Sequence, residues 1–176
     1  AVNFEADSAA FARVMTNAEL LRSWHLDSNT IMTAVIPNTY SFLWNTTPEK
    51  IFSKLVKEKE KFWNEKRLAG AKALQLGPEQ VYTLASIVEE ETNKEEDKGK
   101  IARVYLNRMQ KVMKLQADPT VKFAMKNFEL KRILEKHLSY ASPYNTYQNS
   151  GLPPGPICTP SSKTIDAVLN APATNY

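Results

Sequence analysis

The sequence predicts an α+β fold, mainly helical, with a small β-sheet. Three observations lead there. Long segments carry apolar residues at helical spacing, as in Ile51, Phe52, Leu55 and Val56, or Val81, Leu84, Ala85 and Val88. Two short pieces, residues 31–36 and 115–123, read as extended. The first is apolar and partly β-branched, and the second holds Asp118-Pro119, an X-Pro step that disfavours helix at its first residue. Five of the ten prolines fall between Pro143 and Pro160, which predicts a stiff irregular loop rather than core or disorder.

Residues 7–24 read as one helix that Ser8 can cap, with Phe11, Val14, Met15 and Leu21 on one face. Asp27 to Asn29 is a turn cluster, and residues 31–36 a helical turn followed by a strand that Pro37-Asn38 ends. Tyr40, Phe42, Leu43 and Trp44 group as a small apolar cluster. Thr47-Pro48-Glu49 is a helix start, with cap, first-turn proline and an acid at the positive end. That helix is expected to reach about Leu68, and residues 70–77 to form a connector. Pro78 opens the next helix, which runs through the three glutamates Glu89, Glu90 and Glu91. A polar loop over residues 93–99 precedes a helix over 100–112, where Asn107 and Arg108 sit among apolar neighbours, so at least one is expected to bond neighbouring backbone. Residues 128–138 read as an amphipathic helix, and Thr159-Pro160 begins a last one that Pro172 stops.

Composition narrows the functional classes. Hydrophobic content of 43% and charged content of 24% over 176 residues describe an ordinary globular chain. The net charge of +4 is spread rather than massed, so nucleic acid is not implied. One cysteine, Cys158, gives no disulfide framework, and the two histidines, His25 and His137, lack ligand-spaced companions, so neither a metal nor another cofactor is expected. No stretch approaches a membrane span.

The chemistry concentrates at the glutamates. At about 100° per residue, Leu84, Ile87 and Val88 flank Glu91, which places it within the apolar stripe. Glu89 falls at the stripe's edge and Glu90 faces water. A carboxyl on a buried stripe either finds a partner or has its pKa raised, and a raised pKa suits a general acid. The bland alternative is a solvated acidic helix end. Downstream, LQADPTV, SPYNTY and GLPPGPI supply polar and flat side chains on stiff loops.

LASIVEEET, the NRM of VYLNRMQKVM, LQADPTV, SPYNTY and GLPPGPI, in this order, resemble the YceG-like family of membrane-anchored endolytic murein transglycosylases (MltG). IPNTYSF resembles the segment ahead of that family's catalytic region, so the likeness runs from about Ile36 onward. The resemblance implies cleavage of the MurNAc-β-1,4-GlcNAc bond within peptidoglycan strands to give 1,6-anhydroMurNAc ends, in cell-wall assembly and glycan-strand termination. It implies one glutamate as acid and then base. Glu89 and Glu91 both match the family's acids. The wheel selects Glu91, with Glu89 in reserve. Glu89, Gln116, Asp118, Thr120, Tyr144, Asn145, Thr146 and Tyr147 are the expected substrate-binding residues. The resemblance further implies a LysM-like portion over residues 1–44 before a catalytic domain over 45–176, C-terminally truncated. It also implies a single-pass inner-membrane protein facing the periplasm, with the anchor outside this chain and peptidoglycan synthases as partners. Two rivals stand beside it. One is a muramidase pairing Glu91 with Asp118 and admitting water; the other is a noncatalytic glycan-binding scaffold.

Overall fold

Residues 81–88 are buried without exception, and the helix that carries them is the centre of the larger of two cores. The structure, a computed structural model, describes residues 5–174. In chain order the helices are α1 (Ser8–Thr16), α2 (Ala18–Ser23), α3 (Pro48–Phe62), α4 (Glu65–Ala73), α5 (Pro78–Glu91), α6 (Glu95–Gln110), α7 (Asp118–Met125), α8 (Glu135–Leu138) and α9 (Ser162–Leu169), with a 3-10 turn over Ile31–Ala34. Helix α5 touches α4, α6, α7, α9 and the 3-10 turn. A helix buried on so many sides must be apolar nearly all round, and Tyr82, Thr83 and Ser86 satisfy their hydroxyls locally. Tyr82 donates to the Val35 carbonyl at 2.6 Å, Thr83 to Glu79 at 2.8 Å and Ser86 to Thr83 at 2.7 Å. None of the helices is long and apolar enough to cross a membrane among the described residues.

The expected small β-sheet is absent: the described residues contain no strand, so the fold is helical rather than α+β. The physical reasons differ at the two sites. Asp27 accepts from the backbone N–H of Asn29 and Thr30 and from the Thr30 hydroxyl, a turn that feeds straight into the 3-10 helix. A short apolar run has no period of its own to resist that. At the second site Pro119 belongs to the first turn of α7, where proline is favoured, and the extended residue is Ala117 one step earlier. Thr120 then closes the turn by donating its hydroxyl to the Ala117 carbonyl at 2.7 Å.

Helix boundaries moved where a polar side chain offered a cap. Asn17 divides the first expected helix by accepting from Leu20 N–H at 3.0 Å, and Asn64 divides the second by accepting from Arg67 N–H at 3.1 Å. Helix α6 begins at Glu95, inside the expected loop, with Glu95, Glu96 and Asp97 at its positive end. Only Glu135–Leu138 is helical within the expected 128–138 segment.

Two cores result. The larger gathers α5 with Ala102, Tyr105, Leu106, Leu115, Ile157, Ile165 and Val168. The smaller joins Val14, Leu21, Leu26 and Ile31 to Ile51, Phe52, Leu55 and Val56 of α3. The GLPPGPI loop crosses between them. Ile157 N–H donates to the Ser86 hydroxyl at 3.0 Å, and Gly155 passes so close to the Asn29 backbone that a Cβ there would lie 2.1 Å from the Asn29 carbonyl oxygen. Gly155→Ala is therefore expected to cost about 3 kcal/mol through overpacking against backbone that cannot yield. Urea unfolding at unchanged m would read this as a lower midpoint, and an unmoved midpoint would mean the loop is not held where described.

Candidate active site

The three glutamates at the end of α5 meet different surroundings. Glu89 turns toward α6 and α9. It receives hydrogen bonds from the Thr164 hydroxyl and from Lys98 Nζ at 3.2 Å, and the Ser161 hydroxyl lies at 3.4 Å. Burial works against its charge, but the Thr164 and Lys98 hydrogen bonds outweigh it, and the pKa lies below the ordinary carboxylate value. Lys98 is 3% exposed and also bonds Glu95 at 2.7 Å and the Thr164 hydroxyl at 2.8 Å. Glu89 is thus an ionised, bonded carboxylate. Glu90 is exposed, as the wheel requires.

Glu91 differs from the sequence expectation in one respect. The buried stripe ends at Val88, and Glu91, on the last turn, is exposed. Even so, its carboxyl lies against Tyr105, whose hydroxyl donates to Glu91 Oε2 at 3.2 Å. Lost solvation raises its pKa, the Tyr105 hydrogen bond lowers it, the charge of Asp118 raises it and that of Lys122 lowers it; the net direction is upward. Glu91 is reachable by a ligand and inclined to hold a proton. Glu89 is less exposed, and its pKa moves the other way.

Around Glu91 the chain assembles a polar rim. Tyr147 donates its hydroxyl to Asp118 Oδ1 at 2.6 Å, and its own pKa is pushed up to about 12 by burial first, then by Asp118 and Glu91. Tyr105 is raised too, by burial and then by the Glu91 charge. Arg108 donates to the Leu115 carbonyl at 2.6 Å and to Gln116 Oε1 at 3.2 Å. Gln116 sits at φ 55°, a left-handed conformation that is uncommon outside glycine and tends to persist at functional sites. Its backbone N–H donates to the Thr146 carbonyl at 3.1 Å, which joins the LQADPTV and SPYNTY segments.

The other expected site residues lie beneath or beside this rim. Thr120, Asn145 and Thr146 are buried, and their polar atoms are bonded within the protein. The Thr120 and Thr146 hydroxyls lie 2.8 Å apart, Thr146 Oγ1 accepts from Ala117 N–H at 3.0 Å, and Asn145 Nδ2 donates to the Leu138 and Tyr140 carbonyls at 3.1 and 2.8 Å. Tyr144 packs its ring on Phe123 with centroids 4.8 Å apart and reaches Asn29 Oδ1 at 3.3 Å. Glu91, Gln116, Asp118 and Tyr147 are thus brought together; Thr120, Asn145 and Thr146 shape the loop that carries Tyr147. Sequence reasoning gave neither Tyr105 nor Arg108 a place in the site. The offset of 14 residues between Glu91 and Tyr105 crosses a helix-to-helix turn, so no periodicity could have linked them.

Comparison with known proteins agrees with the motif order. The model of the YceG-like family matches residues 4–176. A Bacillus subtilis (strain 168) protein named endolytic murein transglycosylase is 37% identical over 143 residues, which are 81% of this chain and 39% of that protein. A Streptococcus pneumoniae serotype 2 protein of the same name is 32% identical over 140 residues, 77% of this chain and 25% of that one. The chain therefore spans well under half of these relatives. A crystal structure of a YceG-like protein from Listeria monocytogenes superposes with a TM-score of 0.83 at 28% identity, over 98% of this chain and 61% of that one.

Proposed function

Because this chain belongs to the YceG-like family, we propose that it carries the glycan-cleaving site of an endolytic murein transglycosylase, with Glu91 as the single acid/base. The observation that carries the assignment is the contrast between the neighbouring carboxylates: Glu91 exposed with a raised pKa, Glu89 bonded and ionised.

The chemistry follows from one carboxyl used twice. Protonated Glu91 gives its proton to the glycosidic oxygen as the C1–O bond breaks, leaving oxocarbenium character on the MurNAc ring. Ionised Glu91 then takes the proton of the same ring's 6-hydroxyl while that oxygen bonds to C1. The 1,6-anhydro ring closes, Glu91 is protonated again and no water is consumed. The nucleophile is intramolecular, so proximity replaces a second carboxylate. Asp118 and Tyr147, held together, position the sugar beside Glu91, and Gln116 offers an amide to an N-acetyl group. Digests of purified peptidoglycan analysed by mass spectrometry test this: the expected ends are lighter by one water than hydrolytic ends. Reducing ends throughout would favour the muramidase reading, with Asp118 as its second carboxylate. Attachment of the whole protein to the inner membrane with this region in the periplasm, and association with peptidoglycan synthases, complete the proposal; fractionation and crosslinking test them.

The pH profile gives a separate check. An acid must be protonated to act, so kcat/KM falls as pH rises through the Glu91 pKa. Tyr105 donates to the ionised form and holds that pKa down, so Tyr105→Phe is expected to move the alkaline limb to higher pH. Asp118→Asn removes a negative charge that raises it and is expected to move the limb to lower pH. Shifts in the same direction for both variants would contradict the electrostatic account.

A further inference from the structure

Beside the rim around Glu91 lies a small cavity that the proposed reaction does not use. Glu90, Pro119, Lys122, Phe123, Phe128 and Ile157 line it, and its volume is about 150 Å³. Pockets that enclose drug-sized ligands run to about 300–1,000 Å³, so this one suits a substituent rather than a whole saccharide. One wall is aromatic. Phe123 packs edge-on against Phe128 at 6.3 Å and in a tilted contact against Tyr144 at 4.8 Å, and Phe128 remains 67% exposed. A large apolar ring left that open, yet continuous with a packed aromatic pair, is a platform for another flat or apolar face. The remaining lining is charged with both signs. Lys122 stands one helical turn from Asp118 on α7, and Glu90 precedes Glu91 on α5. The charge of Lys122 already acts on Glu91, which fixes the cavity as a neighbour of the reacting carboxyl.

We propose that this cavity is a subsite for the peptide substituent of a MurNAc residue next to the scissile bond, with Lys122 receiving a peptide carboxylate, Glu90 receiving a peptide amide N–H, and Phe128 stacking on the adjoining sugar. The inference rests on the peptidoglycan reading and deepens it. A charge of each sign within one small cavity matches a ligand that offers both an anion and N–H donors, as a stem peptide does and an N-acetylglucosamine residue does not; the lactyl carboxylate that an amidase leaves on MurNAc is the rival anion, and the stripped oligomer tests it. Glu90 lines the cavity with Lys122, and the Lys122 charge also acts on Glu91.

Soluble glycan oligomers with intact stem peptides, and the same oligomers stripped by an amidase, provide the test on the full-length protein. Wild type is expected to prefer the stem-bearing oligomer, and Lys122→Met to cut that preference about tenfold, the scale of one lost charge-assisted hydrogen bond. The ratio is insensitive to any change in Glu91 itself. Phe128→Ala is expected to raise KM about three- to tenfold on both oligomers while kcat holds. An unchanged ratio in Lys122→Met, or a wild type indifferent to stems, overturns the subsite. Should wild type cleave neither oligomer, the lytic reading fails, and calorimetric binding of the same oligomers still decides the subsite: a stem preference lost in Lys122→Met supports it, and one that persists overturns it.

Discussion

Glu91→Gln is expected to reduce the release of anhydro ends by about 10²–10⁴-fold, the range that a positioned general acid–base contributes. The substitution keeps the shape of the side chain and its contact with Tyr105, and Glu91 is exposed, so the fold should be untouched. Circular dichroism and the melting temperature would therefore match the wild type. Glu89→Gln should behave in the opposite way, retaining chemistry in the molecules that fold while losing stability, because it removes the negative charge that the buried Lys98 pairs with and weakens the acceptor that Lys98 and Thr164 share. Mass spectrometry of peptidoglycan digested by the two variants separates the candidates. Full cleavage by Glu91→Gln would point to Glu89 as the acid/base, whereas glycan binding without any cleavage, with biological effect kept in full by Glu91→Gln, would point to a noncatalytic module.

Lys98→Met is expected to produce the largest loss of stability of any single change outside the apolar core, about 3–5 kcal/mol, the usual cost of leaving a buried charge without its partner. Methionine preserves most of the stem's packing, so the loss reports the ammonium. Lys98 ties the end of α5 to α6 and α9 through Glu89 and Thr164, and α5, α6 and α9 form the most closely associated group of helices. The double variant Lys98→Met with Glu89→Gln should recover part of the deficit, since the orphaned carboxylate is then neutral. Additive losses would mean that the pair contributes no coupling. The same pair predicts an acid limit. Glu89's folded pKa lies below its unfolded value, so its contribution is present above the ordinary carboxylate pKa and is lost as pH falls through the folded value.

The sequence alone determined the long amphipathic helices, the proline-marked starts of α3 and α5, and the identity of the family, because each is written in local order: an apolar period, a cap beside a proline, or a series of motifs. It also narrowed the proposed acid to three adjacent glutamates. It misjudged the two extended pieces, because a six-residue apolar run and an X-Pro step are compatible with several backbones, and the Asp27 turn and the Thr120 closure decide between them. The wheel preferred Glu91 to Glu89, but only the tertiary structure gives the two carboxylates their different surroundings. The helical wheel assigned Glu91 to the buried stripe, whereas its raised proton affinity comes first from solvation lost to the surrounding protein at an exposed helix end and then from the charge of Asp118 on α7, against the lowering effect of the Tyr105 hydrogen bond. Glu89 is held ionised by a lysine nine residues on and a threonine seventy-five residues on. A pKa is the sum of what surrounds a group in space, and those surroundings exist only once the chain has folded.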